Sequence, residues 1–384
     1  MPYYKPLKKL SQVERKRTIA GIQRIRSQLF DHEFPIKNTS TSLILGTWNL
    51  RNFDDDRFNF GKRTKESLHY IAEIISRFDV LAVQEICDDL TSLNELLVLL
   101  GPQYDYIVTD VTHGSLGGNQ ERLGFIYDKS KVRFKGIAGE VVLPKKLQIS
   151  VESDDKRQFA RTPFGVEFQS GWFRFLFSTV HIYFGSASKN TPQHKRRIEE
   201  IKAIAKYLAK IGKANEANQI LVGDFNIEAH GSKGFNVLEK NSFSIVKNRE
   251  GSNRDQTKFY DQISFLKRNT QFRLIDPLRE NRVFQFFDSV YSDDSFLMYK
   301  SVIVSNLKTK LKQAESELAA ATSKTKKKKF EKRIKTIKEA AKTDESMEKY
   351  YRKWRTFQMS DHLPLWVELE IDFSDDYLKY LETF

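Results

Sequence analysis

A single cysteine, Cys87, stands in 384 residues, which excludes a disulfide framework and a thiolate zinc site. Such usage fits a reducing compartment and sets the expectation of a cytoplasmic protein; a secreted chain without disulfides is the alternative. Long apolar runs are also missing, and none approaches the roughly 18 residues that a membrane span needs. The opening Met1-Pro2-Tyr3-Tyr4-Lys5 lacks the apolar core of a signal peptide. Disorder is excluded from the other side: hydrophobic residues make up 40% of the chain and 29 of them are Phe, enough for a large packed core.

Negative charge is in short supply, with 50 Asp/Glu against 64 Lys/Arg, a net charge of +14. The excess is localised. Residues 1–30 hold eight Lys/Arg and one Glu, and residues 305–355 hold 17 Lys/Arg and seven Asp/Glu, which leaves −3 for the rest. A mildly acidic body with two basic appendages predicts a polyanionic partner, nucleic acid before an anionic membrane.

Hydrophobic periodicity orders the chain. Residues 11–30 carry Val13, Ile19, Ile22, Ile25 and Leu29 near helical spacing, an amphipathic helix packed on the body within a basic extension over 1–40. Strands are predicted at 43–48, 79–84, 104–109, 123–127, 131–137, 164–169, 172–181, 219–222, 260–266 and 363–371. Helices are predicted at 62–77 and 90–100, and Thr191-Pro192 opens another that runs to about Ile211. Strands separated by helices make the fold α/β, and adjacent strands without a helix between them exclude a purely parallel sheet. In 305–355, Leu307, Leu311, Ala314, Leu318 and Ala321, then Phe330, Ile334, Ile337 and Ala341, recur at coiled-coil spacing on either side of Ser323–Lys329. That pattern predicts an antiparallel helical hairpin with a polar tip, inserted between two strands of a body formed by 41–304 and 356–384.

Short polar segments sit at the ends of these strands: Trp48-Asn49, Gln84-Glu85, His181, Gly223-Asp224-Phe225-Asn226 and Ser360-Asp361-His362. Glu85 and Asn49 each follow a buried strand and supply hard oxygen donors, which suit Mg²⁺ or Mn²⁺ rather than zinc. Asp224 and Asn226 are two apart, so on extended backbone their side chains share a face and together hold a water and a phosphoryl oxygen. His181 and His362 are candidate acids or charge stabilisers near neutral pH.

In this order the segments resemble the endonuclease/exonuclease/phosphatase superfamily, and within it most the deoxyribonuclease I branch, over roughly residues 43–300 and 356–371. The resemblance implies a two-sheet α/β sandwich with flanking helices, to which the helical hairpin is an addition. It implies metal binding by Asn49, Glu85 and Asp361, catalytic roles for His181, Asp224, Asn226 and His362, and a Glu121–His181 and an Asp261–His362 pair. Arg51, in Trp48-Asn49-Leu50-Arg51, resembles the family's phosphate-contacting residue, and Arg122 is a second candidate for that role, with Asn226 also binding substrate. The function implied is a Mg²⁺-dependent (or Mn²⁺-dependent) nuclease, a DNA endonuclease. An RNase, an inositol or lipid phosphatase, and a non-catalytic nucleic-acid adaptor are the alternatives. The 305–355 hairpin is open to nucleic acid or to a protein partner; no membrane partner is expected.

Overall fold

The computed structural model describes residues 1–112, 118–151, 156–215, 218–266 and 272–383. Two sheets of six strands face each other. The first contains β1 (Ser42–Phe53), β2 (Val80–Ile86), β3 (Tyr104–Val108) and β4 (Arg122–Asp128), joined late in the chain by β11 (Arg273–Leu274) and β12 (Leu365–Glu370) in the order β11-β12-β1-β2-β4-β3. The second contains β5 (Arg133–Glu140), β6 (Phe164–Ser170), β7 (Phe173–His181), β8 (Asn218–Asp224), β9 (Phe243–Ile245) and β10 (Asp261–Leu266), in the order β5-β6-β7-β8-β10-β9. This is the two-sheet α/β sandwich that the family resemblance implies.

Each sheet has one parallel pair, β1 with β2 and β7 with β8; the remaining ladders are antiparallel. The parallel pairs need crossovers, supplied by α2 (Lys65–Ile75) and α4 (Pro192–Asn215). Their four strands therefore end at the same edge of the sandwich. The antiparallel neighbours β4, β10 and β12 begin at that edge, which brings Asn49, Glu85, His181 and Asp224 to meet Glu121, Asp261 and His362. Between the sheets, apolar side chains interdigitate: the Phe125 ring centroid lies 5.2–5.8 Å from those of Phe164, Phe168 and Phe177.

The N-terminal helix α1 (Gln12–Asp31) starts at a Ser11 capping box with Glu14 and buries Ile22, Ile25 and Leu29, whereas Val13 and Ile19 of the predicted stripe are exposed. Two of its cations are paired with the body, Arg17 with Glu66 and Arg26 with Glu73. Between the predicted strands lie α3 (Thr91–Leu100) and a helix that the periodicity does not reveal, α5 (Lys233–Lys240).

The late helical segment is longer than expected and contains three helices: α6 (Phe296–Ala320), α7 (Lys324–Ala340) and α8 (Asp344–Gln358). The lysine run is not a polar tip. Ser323 caps α7 by accepting from the Lys326 amide, so Lys324–Lys329 forms the first turns of that helix. Lysine is a good helix former, and only Ala321, Thr322 and Ser323 remain to make the bend. Tyr351 and Trp354 are buried where α8 rejoins the body, and Lys310 of α6 pairs with Asp56. A terminal helix α9 (Ser374–Leu381) follows β12. Among the described residues no helix is long and apolar enough to cross a membrane.

Candidate active site

Strand ends alone would splay these side chains; local backbone turns aim them inward. Glu85 sits at a break in register of both the β1–β2 and the β2–β4 ladders, with φ +60°. Such a bulge re-aims one side chain while the strand on either side stays buried. The Glu85 carboxylate accepts from Asn49 Nδ2 at 2.8 Å and from the Asn52 amide at 2.9 Å. Asn49 Nδ2 is also 3.2 Å from Asp224 Oδ2. Positive φ recurs around the cleft, at Arg51, Asn52, Asn119, Gln120 and Asn226. Non-glycine residues adopt this conformation at a cost of about 1–3 kcal/mol each, and it clusters where side chains must be placed against local preference.

Gly223 permits the closest approach in the site. Its φ is +126°, and a Cβ there would lie 2.1 Å from the carbonyl oxygen of Val180. That contact lets β7 and β8 run in a register that pairs His181 with Asp224. Beyond Asp224 the extended backbone predicted to carry Asn226 ends. Asn226 turns to φ +53°, so the two side chains do not lie in parallel. Its backbone N–H donates to Asp224 Oδ1 at 2.9 Å, and its side-chain amide donates to the Ile182 carbonyl at 2.8 Å. Asn226 thus holds the Asp224 turn, and its amide hydrogens are turned toward the backbone.

Each histidine has a carboxylate behind it. His362 Nδ1 is 2.8 Å from Asp261 Oδ2, which also accepts from Ser252 Oγ at 2.7 Å. His181 Nδ1 is 3.1 Å from Glu121 Oε2 in a bent approach, and Arg161 Nε donates to the same oxygen at 2.7 Å. The far nitrogens converge: Nε2 of His181 and of His362 lie 3.6 and 3.8 Å from Asp224 Oδ2. The Ser360-Asp361-His362 turn is fastened to the end of β1 by Ser360 Oγ donating to the Asn49 carbonyl and Trp48 Nε1 donating to the His362 carbonyl.

The electrostatics follow from burial among carboxylates. Burial pushes Glu85 upward, and the neighbouring Glu121 adds to the rise. Burial acts to raise Glu121 too, but His181 and Arg161 outweigh it and bring this carboxyl down to about 2. For His362, burial favours the neutral ring, yet Asp261, Asp224 and Asp361 overcome it and hold the imidazole well above its ordinary range.

Glu85, Glu121 and His181 each offer a ligand atom, all within 4.8 Å of one another. Glu121 is already neutralised by Arg161, whereas ionised Glu85 lies in a buried carboxylate cluster that a cation would relieve. Of the other expected ligands, Asn49 accepts from the Arg51 backbone N–H through its side-chain oxygen at 2.9 Å, and Asp361 lies on the rim of the same cavity as Glu85, paired with Arg51. A cavity of about 480 Å³ opens above them, lined by Arg51, Arg57, Phe58, Glu85, Glu121, Asp361 and His362 among others. Arg51 pairs with Asp361 at 3.1 Å, donates to Thr356 Oγ1, and lays its guanidinium 3.9 Å over the Phe357 ring.

Arg122 departs from the expected set. It is not among the cavity-lining residues, and its guanidinium is held by Asp88, Asp110 and the Thr109 carbonyl. Arg161, Ser252, Thr356 and Phe357 are partners that sequence reasoning misses: Arg161, Thr356 and Phe357 come from segments remote from the side chains they support, and Ser252, nine residues before Asp261, reaches it across a turn of no regular period. A buried carboxylate requires a cation, which signals that an arginine such as Arg161 must exist but not which one.

Residues 46–252 match the model of the endonuclease/exonuclease/phosphatase family. The chain belongs to this family. Its members are hydrolases that act on phosphoester bonds. No curated protein matches the sequence. Among solved structures, an endonuclease/exonuclease/phosphatase family protein from Bacteroides thetaiotaomicron is 16% identical with a TM-score of 0.50, covering 87% of this chain and 99% of that one. The Bacteroides thetaiotaomicron mannosyl-6-phosphatase is 19% identical with a TM-score of 0.45, over 60% of this chain and 87% of that one. The human nocturnin catalytic domain is 12% identical with a TM-score of 0.43, over 63% and 90%. At these identities the likeness is one of fold.

Proposed function

We propose that this family member is a Mg²⁺-dependent phosphodiesterase acting on nucleic acid, and specifically a DNA endonuclease. The observation that carries the reading is the convergence of two carboxylate-backed histidines on one carboxylate, Asp224, beside the half-buried Glu85. In-line hydrolysis needs a base for water, donors for the phosphoryl oxygens and an acid for the leaving oxygen, all within one phosphate's reach.

Asp224 orients the attacking water and accepts its proton. His181, steadied by Glu121 and Arg161, donates to a phosphoryl oxygen, and the Asn49 amide stands beside it. His362, kept protonated by its carboxylate neighbours, delivers a proton to the leaving oxygen. Arg51 meets the phosphate at the cleft mouth. When bound, a divalent cation supplies positive charge to the phosphate; Glu85, with Asn49 and Asp361, are the residues that would hold it. The exposed lysines of α7 favour a polyanion over a small phosphate ester.

Incubating the purified chain with supercoiled DNA, RNA and inositol phosphates, each with and without EDTA, separates the alternatives. EDTA-sensitive nicking of DNA is the expected result. Hydrolysis of inositol phosphates alone overturns the proposal, and cleavage of RNA alone replaces the endonuclease with an RNase.

A further inference from the structure

The cleft has an aromatic side that the hydrolytic chemistry does not use. The segment between β1 and α2 lays Phe58 and Phe60 against Phe357 of α8. Phe60 and Phe357 are stacked, with ring centroids 4.4 Å apart and planes 12° apart; Phe58 and Phe357 are 5.5 Å apart, and Tyr350 backs Phe60 at 5.3 Å. Phe357 is buried, and Arg51 lies over its ring. Phe58 differs. It is 52% exposed and lines the same cavity as Arg51, Arg57, Glu85, Asp361 and His362.

A phenylalanine at the rim of a charged cleft, packed on the Phe357 ring and sharing its cavity with two guanidinium groups, has the elements of a stacking platform: a supported π-face, with cations in the same cleft for the adjoining phosphates. Arg57 is itself fixed there, by Asp55 and by the Asn119 carbonyl. A base paired within a duplex keeps its faces against its neighbours, so it cannot lie on Phe58 without leaving the stack.

We propose that Phe58 is a specificity-determining residue that stacks on an unpaired nucleobase next to the scissile phosphate, so that single-stranded or frayed DNA is preferred over intact duplex. The late helical segment then belongs to the substrate site, because Phe357 of α8 supports both the platform and Arg51. This inference rests on the nucleic-acid reading above, and its test keeps the two apart.

The full-length chain, Phe58→Ala and Phe58→Trp are compared in two assays. In EDTA, single-stranded oligonucleotides carrying 2-aminopurine at successive positions report stacking as fluorescence quenching. With Mg²⁺, KM and kcat are measured on single-stranded and duplex DNA. Position-dependent quenching is expected with the native chain, lost in Phe58→Ala and restored in Phe58→Trp. Stacking strengths observed for bases on aromatic side chains correspond to a rise in KM of about 5- to 150-fold for single strands in Phe58→Ala, with a smaller rise for duplex. Equal KM changes on both substrates, or quenching that survives Phe58→Ala, overturn the stacking proposal while the endonuclease reading stands. Quenching without cleavage of either DNA overturns the endonuclease reading and keeps the base-binding platform. Neither quenching nor cleavage overturns both.

Discussion

Replacing Asp261 with asparagine removes one charge and little volume from the centre of the proposed proton-donor pair. Asp261 is buried, and its Oδ2 accepts from both His362 Nδ1 and Ser252 Oγ. The introduced amide can keep an oxygen in that position, because the other carboxylate oxygen of Asp261 has no hydrogen-bond partner and leaves room for the amide nitrogen. What disappears is the negative charge that helps hold His362 above its ordinary range against the opposing effect of burial. A hydrogen bond to a charged group is worth about 1.5–3 kcal/mol, and one pH unit corresponds to about 1.4 kcal/mol. The folded-state pKa of His362 should therefore fall in Asp261→Asn. Since the protonated ring is the acid, activity is lost as pH rises through that pKa, and the alkaline limb of the kcat profile must move down by the same amount. The acid limb, set by groups other than the Asp261–His362 pair, should not move. The assay is initial-rate nicking of supercoiled DNA in saturating Mg²⁺ from pH 5 to 10, with thermal melts at each pH to confirm folding. An alkaline limb that stays in place would refute the assignment of His362 as an acid governed by Asp261.

Arg161→Met should leave Glu121 as a buried carboxylate supported by His181 alone, lowering stability at pH 7 by about 3–5 kcal/mol in urea titrations; adding Glu121→Gln should recover most of it, and an unchanged midpoint would contradict the pairing. Gly223→Ala must push β7 from β8, so cleavage should fall sharply and stability by at least about 1–3 kcal/mol; a variant with native activity would show that the His181–Asp224 register is not required. Changing Lys326, Lys327, Lys328 and Lys329 together to Gln should flatten the salt dependence of DNA binding by about one log–log unit for each phosphate that those lysines neutralise, while an unchanged slope would assign α7 to something other than DNA.

The frame of the fold was legible because apolar strands such as Leu43–Trp48 and Val80–Val83 are buried on both faces and stand out as short apolar runs, and because Ser11 and Thr191-Pro192 mark helix starts. Short elements were not legible: β9 and β11, of three and two residues, carry too little pattern, and α5 is a brief helix after a glycine turn. In the late helices, periodicity revealed the apolar stripe but not the break at Lys342, so three helices read as two. At the site, the polar residues at strand ends were visible because a buried strand must put its first ionisable side chain at an edge. The surroundings of Asn226 and Arg122 were not legible. One turns into a left-handed conformation that a two-residue spacing rule cannot foresee; the other is paired with Asp88 and Asp110, which no spacing rule connects to it. Side chains that act on other side chains across the fold, Arg161 on Glu121 and Phe357 on Arg51, leave no spacing signature at all.

The central claim is that one cation-dependent cleft, built around Glu85, cuts phosphodiesters. Single-turnover cleavage of supercoiled DNA by the native chain and by Glu85→Gln, across a Mg²⁺ titration, tests it most directly. The account predicts rapid Mg²⁺-dependent nicking by the native chain, and for Glu85→Gln a rate at least about a hundredfold lower with a much weaker Mg²⁺ dependence. Nicking by Glu85→Gln at the native rate and the native Mg²⁺ midpoint would contradict it.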